Sequence, residues 1–224
     1  MEILRDQYLD YMTFRAVERP LFTELFGPLV GLEKEWREQG ATEEEINMTA
    51  FGFDHVRRHG VQANTGRHGG YEPKDLEETD DHIIRRDGYG RKVKLCKGVA
   101  TIPLPLEYPV TDMESWREVK HWYEFSEDRF EEGWREDARR SRDEGSLIVV
   151  RIPGGFAEPR QLMGDAAVCM AYYQQPELMH DMLKTFGNTA ERVLDRVSRE
   201  IQVDQLSVHE DLAGKSGPLV GPKQ

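Results

Sequence analysis

Three ionisable residues stand together near the end of the chain, His209-Glu210-Asp211, directly after a short apolar run from Asp204 to Val208. An imidazole beside two carboxylates can pass protons and hold a polar substrate group, and the exit of a strand is where α/β folds collect such side chains. A second run, Ser146-Leu147-Ile148-Val149-Val150-Arg151-Ile152, ends in Pro153-Gly154-Gly155-Phe156. Two glycines at a strand exit let backbone amides close on a ligand and form a concavity suited to an anion. His209, Glu210 and Asp211 are therefore the candidate catalytic residues, and Gly154, Gly155 and Phe156 the candidate substrate-binding ones. Glu24 and Phe26, in the early strand-like run Leu21-Phe22-Thr23-Glu24-Leu25-Phe26, join the second group. On residue types alone, the same carboxylates could equally occupy a solvated loop, paired with Lys215 or Lys223.

Other motifs fail on spacing. Gly214-Lys215-Ser216 looks like the close of a phosphate-binding loop, but His209 stands where that loop needs a glycine, and Gly217-Pro218 forbids the helix that should follow. Gly88-Tyr89-Gly90 resembles the start of a dinucleotide fingerprint, with Val93 in place of its third glycine. His209-Glu210 begins like a zinc-protease motif, yet Ala213 replaces the second histidine. His55 and His59 have helical i,i+4 spacing but no third ligand nearby, and are read as surface histidines. Cys96 and Cys169 lack a Cys-x-x-Cys partner and are read as small buried apolar residues. No Gly-x-Ser-x-Gly elbow occurs.

The elements that must position these groups follow from periodicity. Ile3 to Val17 predicts a helix with Leu4, Tyr8, Tyr11, Met12 and Ala16 on one side. Leu32 to Gln39 predicts another, and Thr42 caps a third whose first turn holds Glu43, Glu44 and Glu45. A Gly-, His- and Arg-rich loop covers Gly60 to Pro73. His82–Arg86, Arg91–Cys96 and Val99–Ile102 read as a meander divided by Asp87-Gly88 and Lys97-Gly98. A connector with Pro103, Pro105 and Pro109 leads to a charged helical region, Met113 to Glu144, with Trp116, Val119, Trp122, Tyr123 and Phe130 on its apolar face.

The β-branched run at 146–152 has the composition of a strand buried on both faces. A helix with Leu162, Met163, Ala166, Ala167 and Met170 inward comes next. Pro176 then opens a long helix striped by Leu178, Met182, Phe186, Ala190, Val193, Leu194 and Val197. Strand, helices and strand in that order predict a crossover and a parallel sheet, with Leu147–Ile152 and Gln205–Val208 pointing the same way. The expected organisation is a single domain over 1–224, with a helical region and loop at 1–80, a β-meander at 81–110 and βα units at 111–224. Only three runs read as parallel strands, near 21–26, 146–152 and 204–208, whereas a closed (β/α)8 barrel takes ~250 residues. The sequence is therefore expected to hold about the first half of such a barrel and to be inactive by itself, activity belonging to the full-length protein.

Composition sets limits. Charged residues make up 32% and apolar ones 38%, with 9% aromatic and a net charge of −12. That charge opposes binding to nucleic acid or to an anionic membrane. Two cysteines imply no disulfide framework, and no apolar run approaches a membrane span, so a cytoplasmic location is expected.

The segment Val208-His209-Glu210-Asp211-Leu212-Ala213-Gly214-Lys215-Ser216-Gly217-Pro218-Leu219 resembles a strand-end segment of the uroporphyrinogen decarboxylase superfamily, where an acidic pair precedes a Gly-Pro loop. Arg19-Pro20-Leu21-Phe22, Glu35-Trp36-Arg37-Glu38-Gln39-Gly40, Asp87-Gly88-Tyr89-Gly90-Arg91, Leu162-Met163-Gly164 and Gln175-Pro176-Glu177-Leu178 resemble the group in the same order. The resemblance implies a TIM-type (β/α)8 barrel with its site at the strand C-termini. It implies either zinc-dependent methyl transfer with a corrinoid or cofactor-free decarboxylation in porphyrin biosynthesis. The true decarboxylases carry an arginine-rich segment after an early strand, whereas here Phe26-Gly27-Pro28-Leu29-Val30-Gly31-Leu32 has no arginine. Methyl transfer is therefore the leading expectation, with a corrinoid or corrinoid protein as partner and zinc ligands falling beyond residue 224. Glu210 and Asp211 would position substrate or transfer protons. Decarboxylation is the alternative, and arginines converging on the barrel mouth would favour it. A non-catalytic barrel that binds a tetrapyrrole or a partner is the third reading.

Overall fold

A computed structural model describes residues 1–15 and 17–223. Ala16, expected on the inner side of the first helix, and Gln224 lie outside the described residues. The chain opens with β1 (Glu2–Ile3), α1 (Arg5–Met12), α2 (Leu32–Glu38), α3 (Glu43–Ile46), β2 (His55–Val56) and β3 (Arg58–Gly60). Strands β4 (Lys74–Glu78), β5 (His82–Arg86), β6 (Lys92–Cys96) and β7 (Leu104–Glu107) form an antiparallel sheet in that order. Then come α4 (Met113–Val119), α5 (Trp134–Asp143), β8 (Leu147–Ile152), α6 (Ala157–Met163), α7 (Asp165–Gln174), α8 (Pro176–Glu200) and β9 (Gln205–Val208). A short hairpin, β10 (Ala213–Gly214) and β11 (Gly217–Pro218), follows.

The element that positions the site is a parallel sheet of order β3-β8-β9. The parallel pairing expected of 147–152 and 205–208 is present, with Val149 opposite Gln205 and Ile152 opposite Val208. β3 adds to the other edge of β8, Gly60 opposite Val149. Within this sheet each strand thus lies beside the one before it. Side chains alternate across a strand, so β8 has two distinct faces. Ile148 and Val150 pack with Trp134 and Ala138 of α5 and with Val193 and Val197 of α8. The opposite face starts apolar, where Leu147 meets Ile3 and Tyr8, and becomes polar towards the strand C-termini, where Arg151 stands beside Ser207. Among the described residues the sheet has three strands and does not close on itself. A larger core lies between α4, α6, α7 and α8 around Trp116, Tyr123, Leu162, Met182 and Phe186. Trp116 is fully buried and donates its indole N–H to Asp181 at 2.7 Å, so its one polar atom is satisfied.

Several expectations are corrected. Leu21–Phe26 forms no strand. It is an irregular segment tied to Asp54, whose backbone N–H donates to the Phe22 carbonyl at 2.6 Å and whose carboxylate accepts from the Phe22 amide. Its place in the sheet is taken by Arg58–Gly60, a strand too short to leave an alternating pattern. His55 and His59 are consequently strand residues rather than helical neighbours. His59 faces α5 and shares a 3.0 Å hydrogen bond with Ser141. The first helix runs only from Arg5 to Met12, because Ile3 is drawn into a parallel pair with Val56. The meander has four strands. Its third expected strand, Val99–Ile102, is an exposed loop, and β7 lies beyond it with Pro105 on an edge strand, where a missing N–H is tolerated.

The helix expected after β8 is broken in two at Gly164. This residue has φ +85°, and a Cβ there would stand 2.5 Å from the Tyr108 ring. The break rotates the second piece, so Val168 and Ala171 are buried while Ala166, Ala167 and Met170 face solvent. Cys96 is exposed and Cys169 half-buried, so neither is the buried apolar residue expected. Among the described residues no helix is long and apolar enough to cross a membrane.

Candidate functional site

The polar end of the sheet opens into a cleft of about 780 Å³ at the C-terminal ends of β3, β8 and β9. Arg58, Arg151, Ser207 and His209 line it from the strands, and Tyr89, Glu158 and Gln161 from the other side. The loop after β3 is pinned to β8 by Thr65, whose hydroxyl donates to the Arg151 carbonyl at 2.5 Å. Arg58 lies over the Tyr8 ring at 5.3 Å. Among the described residues neither Arg58 nor Arg151 has a carboxylate within ion-pair distance.

The residues chosen from the sequence divide. Glu210 reaches back to the start of α6, where Oε1 accepts from the Phe156 amide at 3.0 Å and Oε2 from the Ala157 amide at 2.9 Å. Asp211 pairs with Arg160 at 2.6 Å, and the His209 imidazole lies 3.7 Å from it. The anion concavity expected at Gly154-Gly155 therefore exists, and its anion is the chain's own Glu210. Gly154 is a glycine for this reason: a Cβ would stand 2.6 Å from the Glu210 carboxyl and 2.7 Å from the His209 carbonyl oxygen. Gly155 accepts the Tyr172 hydroxyl on its carbonyl at 2.6 Å. Phe156 is 3% exposed and belongs to the larger core, so its side chain cannot line a binding site. Phe26 is 82% exposed and Glu24 is exposed, both away from the cleft lining, although the neighbouring Leu25 does line it. Glu24 accepts the amides of Phe26 and Leu25, both at 2.8 Å, which hold its carboxyl below the ordinary value. Of the expected catalytic trio only His209 lines the cleft, with its side chain 78% exposed.

A cluster not singled out in the sequence occupies the other wall. Glu158, in the first turn of α6, accepts the Tyr123 hydroxyl on Oε1 at 2.7 Å and the Tyr89 hydroxyl on the same atom at 3.4 Å. Tyr89 sits in the β5–β6 turn with Arg67 stacked over its ring at 4.0 Å and Arg91 at 4.9 Å. Arg91 is held by Asp87 and by Gln161, one helical turn beyond Glu158. Burial pushes the Glu158 carboxyl above the ordinary glutamate value; the Tyr123 hydrogen bond and the nearby Arg67 cation offset this only in part. Burial also raises both phenols, and the Glu158 charge adds to it. A half-buried carboxyl that keeps its proton longer than usual, beside a cleft, has the properties of a general acid.

Among the described residues no group of three or more His, Cys, Asp or Glu side chains is arranged to hold a metal ion. The described residues thus offer no site fitting the zinc that methyl transfer would use. Comparisons of the chain with family models, with curated proteins and with solved structures gave no match.

Proposed function

We propose that the chain forms part of a (β/α)-barrel enzyme of the uroporphyrinogen decarboxylase kind and takes a polycarboxylated, tetrapyrrole-class substrate into the cleft at the strand exits for decarboxylation. The observation that carries this reading is the pair Arg58 and Arg151. In a chain of net charge −12, two guanidinium groups line one cleft with no carboxylate partner among the described residues. Cations left unpaired in an acidic protein favour an anion at that spot over the surface at large. The segment after Phe26 lacks the arginines expected of a decarboxylase, and here β3 and β8 supply cations instead. A volume of about 780 Å³ lies within the range of small-molecule sites. α5 and α8 on one face of the sheet, an opposite face that is polar towards the strand C-termini, and parallel strands in sequential order support the barrel reading.

Titration with uroporphyrin, the stable oxidised octacarboxylate, tests the reading by fluorescence. A hydrogen bond to a charged group contributes about 1.5–3 kcal/mol, so Arg58→Ala and Arg151→Ala should each weaken binding by roughly 10- to 100-fold. Binding that is absent in the wild type, or indifferent to both substitutions, would overturn it.

A further inference from the structure

Resting on that reading, we infer that Glu158 is the acid of the cleft, delivering its proton to substrate from Oε2 while Tyr123 and Tyr89 hold Oε1. The geometry separates the two oxygens. Both phenols converge on Oε1, and among the described residues Oε2 accepts no hydrogen bond. A protonated carboxyl keeps its O–H on the oxygen that is not already accepting, so the acidic hydrogen belongs to Oε2 of a residue that lines the cleft. Tyr123 is 1% exposed and its backbone carbonyl accepts the Thr189 hydroxyl at 2.7 Å. Its phenol is therefore a fixed post against which Glu158 is oriented. Tyr89 is fixed from the other side by Arg67 and Arg91. His209 also lines the cleft wall, but its side chain lies largely in water and lacks this support.

When the substrate's C–COO⁻ bond breaks, CO2 leaves and the electron pair of that bond stays on carbon, to be taken up by the incoming proton. That carbon takes the proton from Glu158 Oε2, forming C–H and leaving Glu158 as carboxylate. The carboxylate regains a proton from solvent, so each turnover consumes one carboxylate and one proton and yields CO2 and the C–H product. Glu158 is the catalytic residue in this scheme, and Tyr123 and Tyr89 are positioning residues.

The test uses Glu158→Gln and Tyr123→Phe in the full chain, with three readouts: uroporphyrin binding, CO2 release from uroporphyrinogen, and the carboxyl C=O stretch in infrared spectra across pH. Glu158→Gln should bind uroporphyrin, lose ~100-fold or more of the turnover, and lack one protonated-carboxyl band present in the wild type. Tyr123→Phe should move that band's titration to higher pH, because the Tyr123 hydrogen bond favours the charged form. A change confined to stability would not move it. Wild-type turnover in Glu158→Gln would overturn the inference and leave the polycarboxylate reading standing. If the wild type binds no uroporphyrin, that reading fails and proton delivery to this substrate fails with it; if it binds but the infrared spectrum is unchanged in Glu158→Gln, the polycarboxylate reading stands and the acid is overturned.

Discussion

Glu210 and Glu158 both stand at the start of the short helix α6, and their surroundings differ in kind. Glu210 comes from the exit of β9 and spends both oxygens on backbone amides, at 3.0 and 2.9 Å. Glu158 belongs to α6 itself, has two phenols on one oxygen, and leaves the other facing no partner among the described residues. Glu210 satisfies donors that a helix start leaves unpaired, so its charge is used in joining β9 to α6. Burial raises Glu158 above the ordinary glutamate value, and the folded state therefore bears a cost for ionising it. A carboxylate with both oxygens held by backbone amides is a structural part. One with a free oxygen on a cleft can do chemistry.

The sharpest way to break that contrast is Gly154→Ala. The new methyl group would meet the Glu210 carboxyl and, more seriously, the His209 backbone carbonyl, which cannot rotate away. Overpacking of this kind costs about 1–3 kcal/mol, and at about 2–4 °C per kcal/mol for a chain of this size the melting temperature should fall by roughly 2–12 °C. Melting within a degree of wild type would mean that the two strand exits are not held together as described. Glu210→Ala and Asp211→Ala grade the same junction more finely. Removing Glu210 bares the Phe156 and Ala157 amides and should cost on the order of 1–2 kcal/mol, as loss of a helix cap does. Asp211 pairs with Arg160 at 2.6 Å with its side chain 48% exposed, and an exposed pair contributes only about 0–1 kcal/mol. Thermal melts should therefore rank Glu210→Ala clearly below Asp211→Ala, and the reverse order would assign the junction to the ion pair.

The parallel core was legible because its signals are local and long. A β-branched run at 146–152 and a 25-residue helix with one apolar stripe leave few alternatives, and their order dictates a crossover. β3 was not legible, since Arg58–Gly60 is three residues that end in glycine and becomes a strand only when β8 supplies its hydrogen bonds. β4, Lys-Asp-Leu-Glu-Glu, is exposed throughout and carries no apolar alternation. At the site, the glycines of 154–155 suggested a ligand's anion, whereas the carboxylate there is the chain's own Glu210, held by the Phe156 and Ala157 amides. Arg151 left a usable sign, a lone arginine near the end of a β-branched run. Glu158 left none: a glutamate in a first helical turn is ordinary, and its partners Tyr123 and Tyr89 lie 35 and 69 residues away in sequence. Only the fold brings them together.

Thermal melting of wild type and Glu158→Gln at pH 7 and pH 4 tests the distinction between the two carboxylates most directly. The folded chain holds the Glu158 proton to a higher pH than the unfolded chain does. Stability is therefore lost as pH rises past the unfolded value of about 4.3. Glutamine stays neutral and can still accept the Tyr123 hydroxyl, so Glu158→Gln should melt above wild type at pH 7, with the difference closing towards pH 4. A variant that melts below wild type at pH 7 and recovers none of the difference at pH 4 would show Glu158 to be a structural carboxylate like Glu210, and would remove the acid from the cleft.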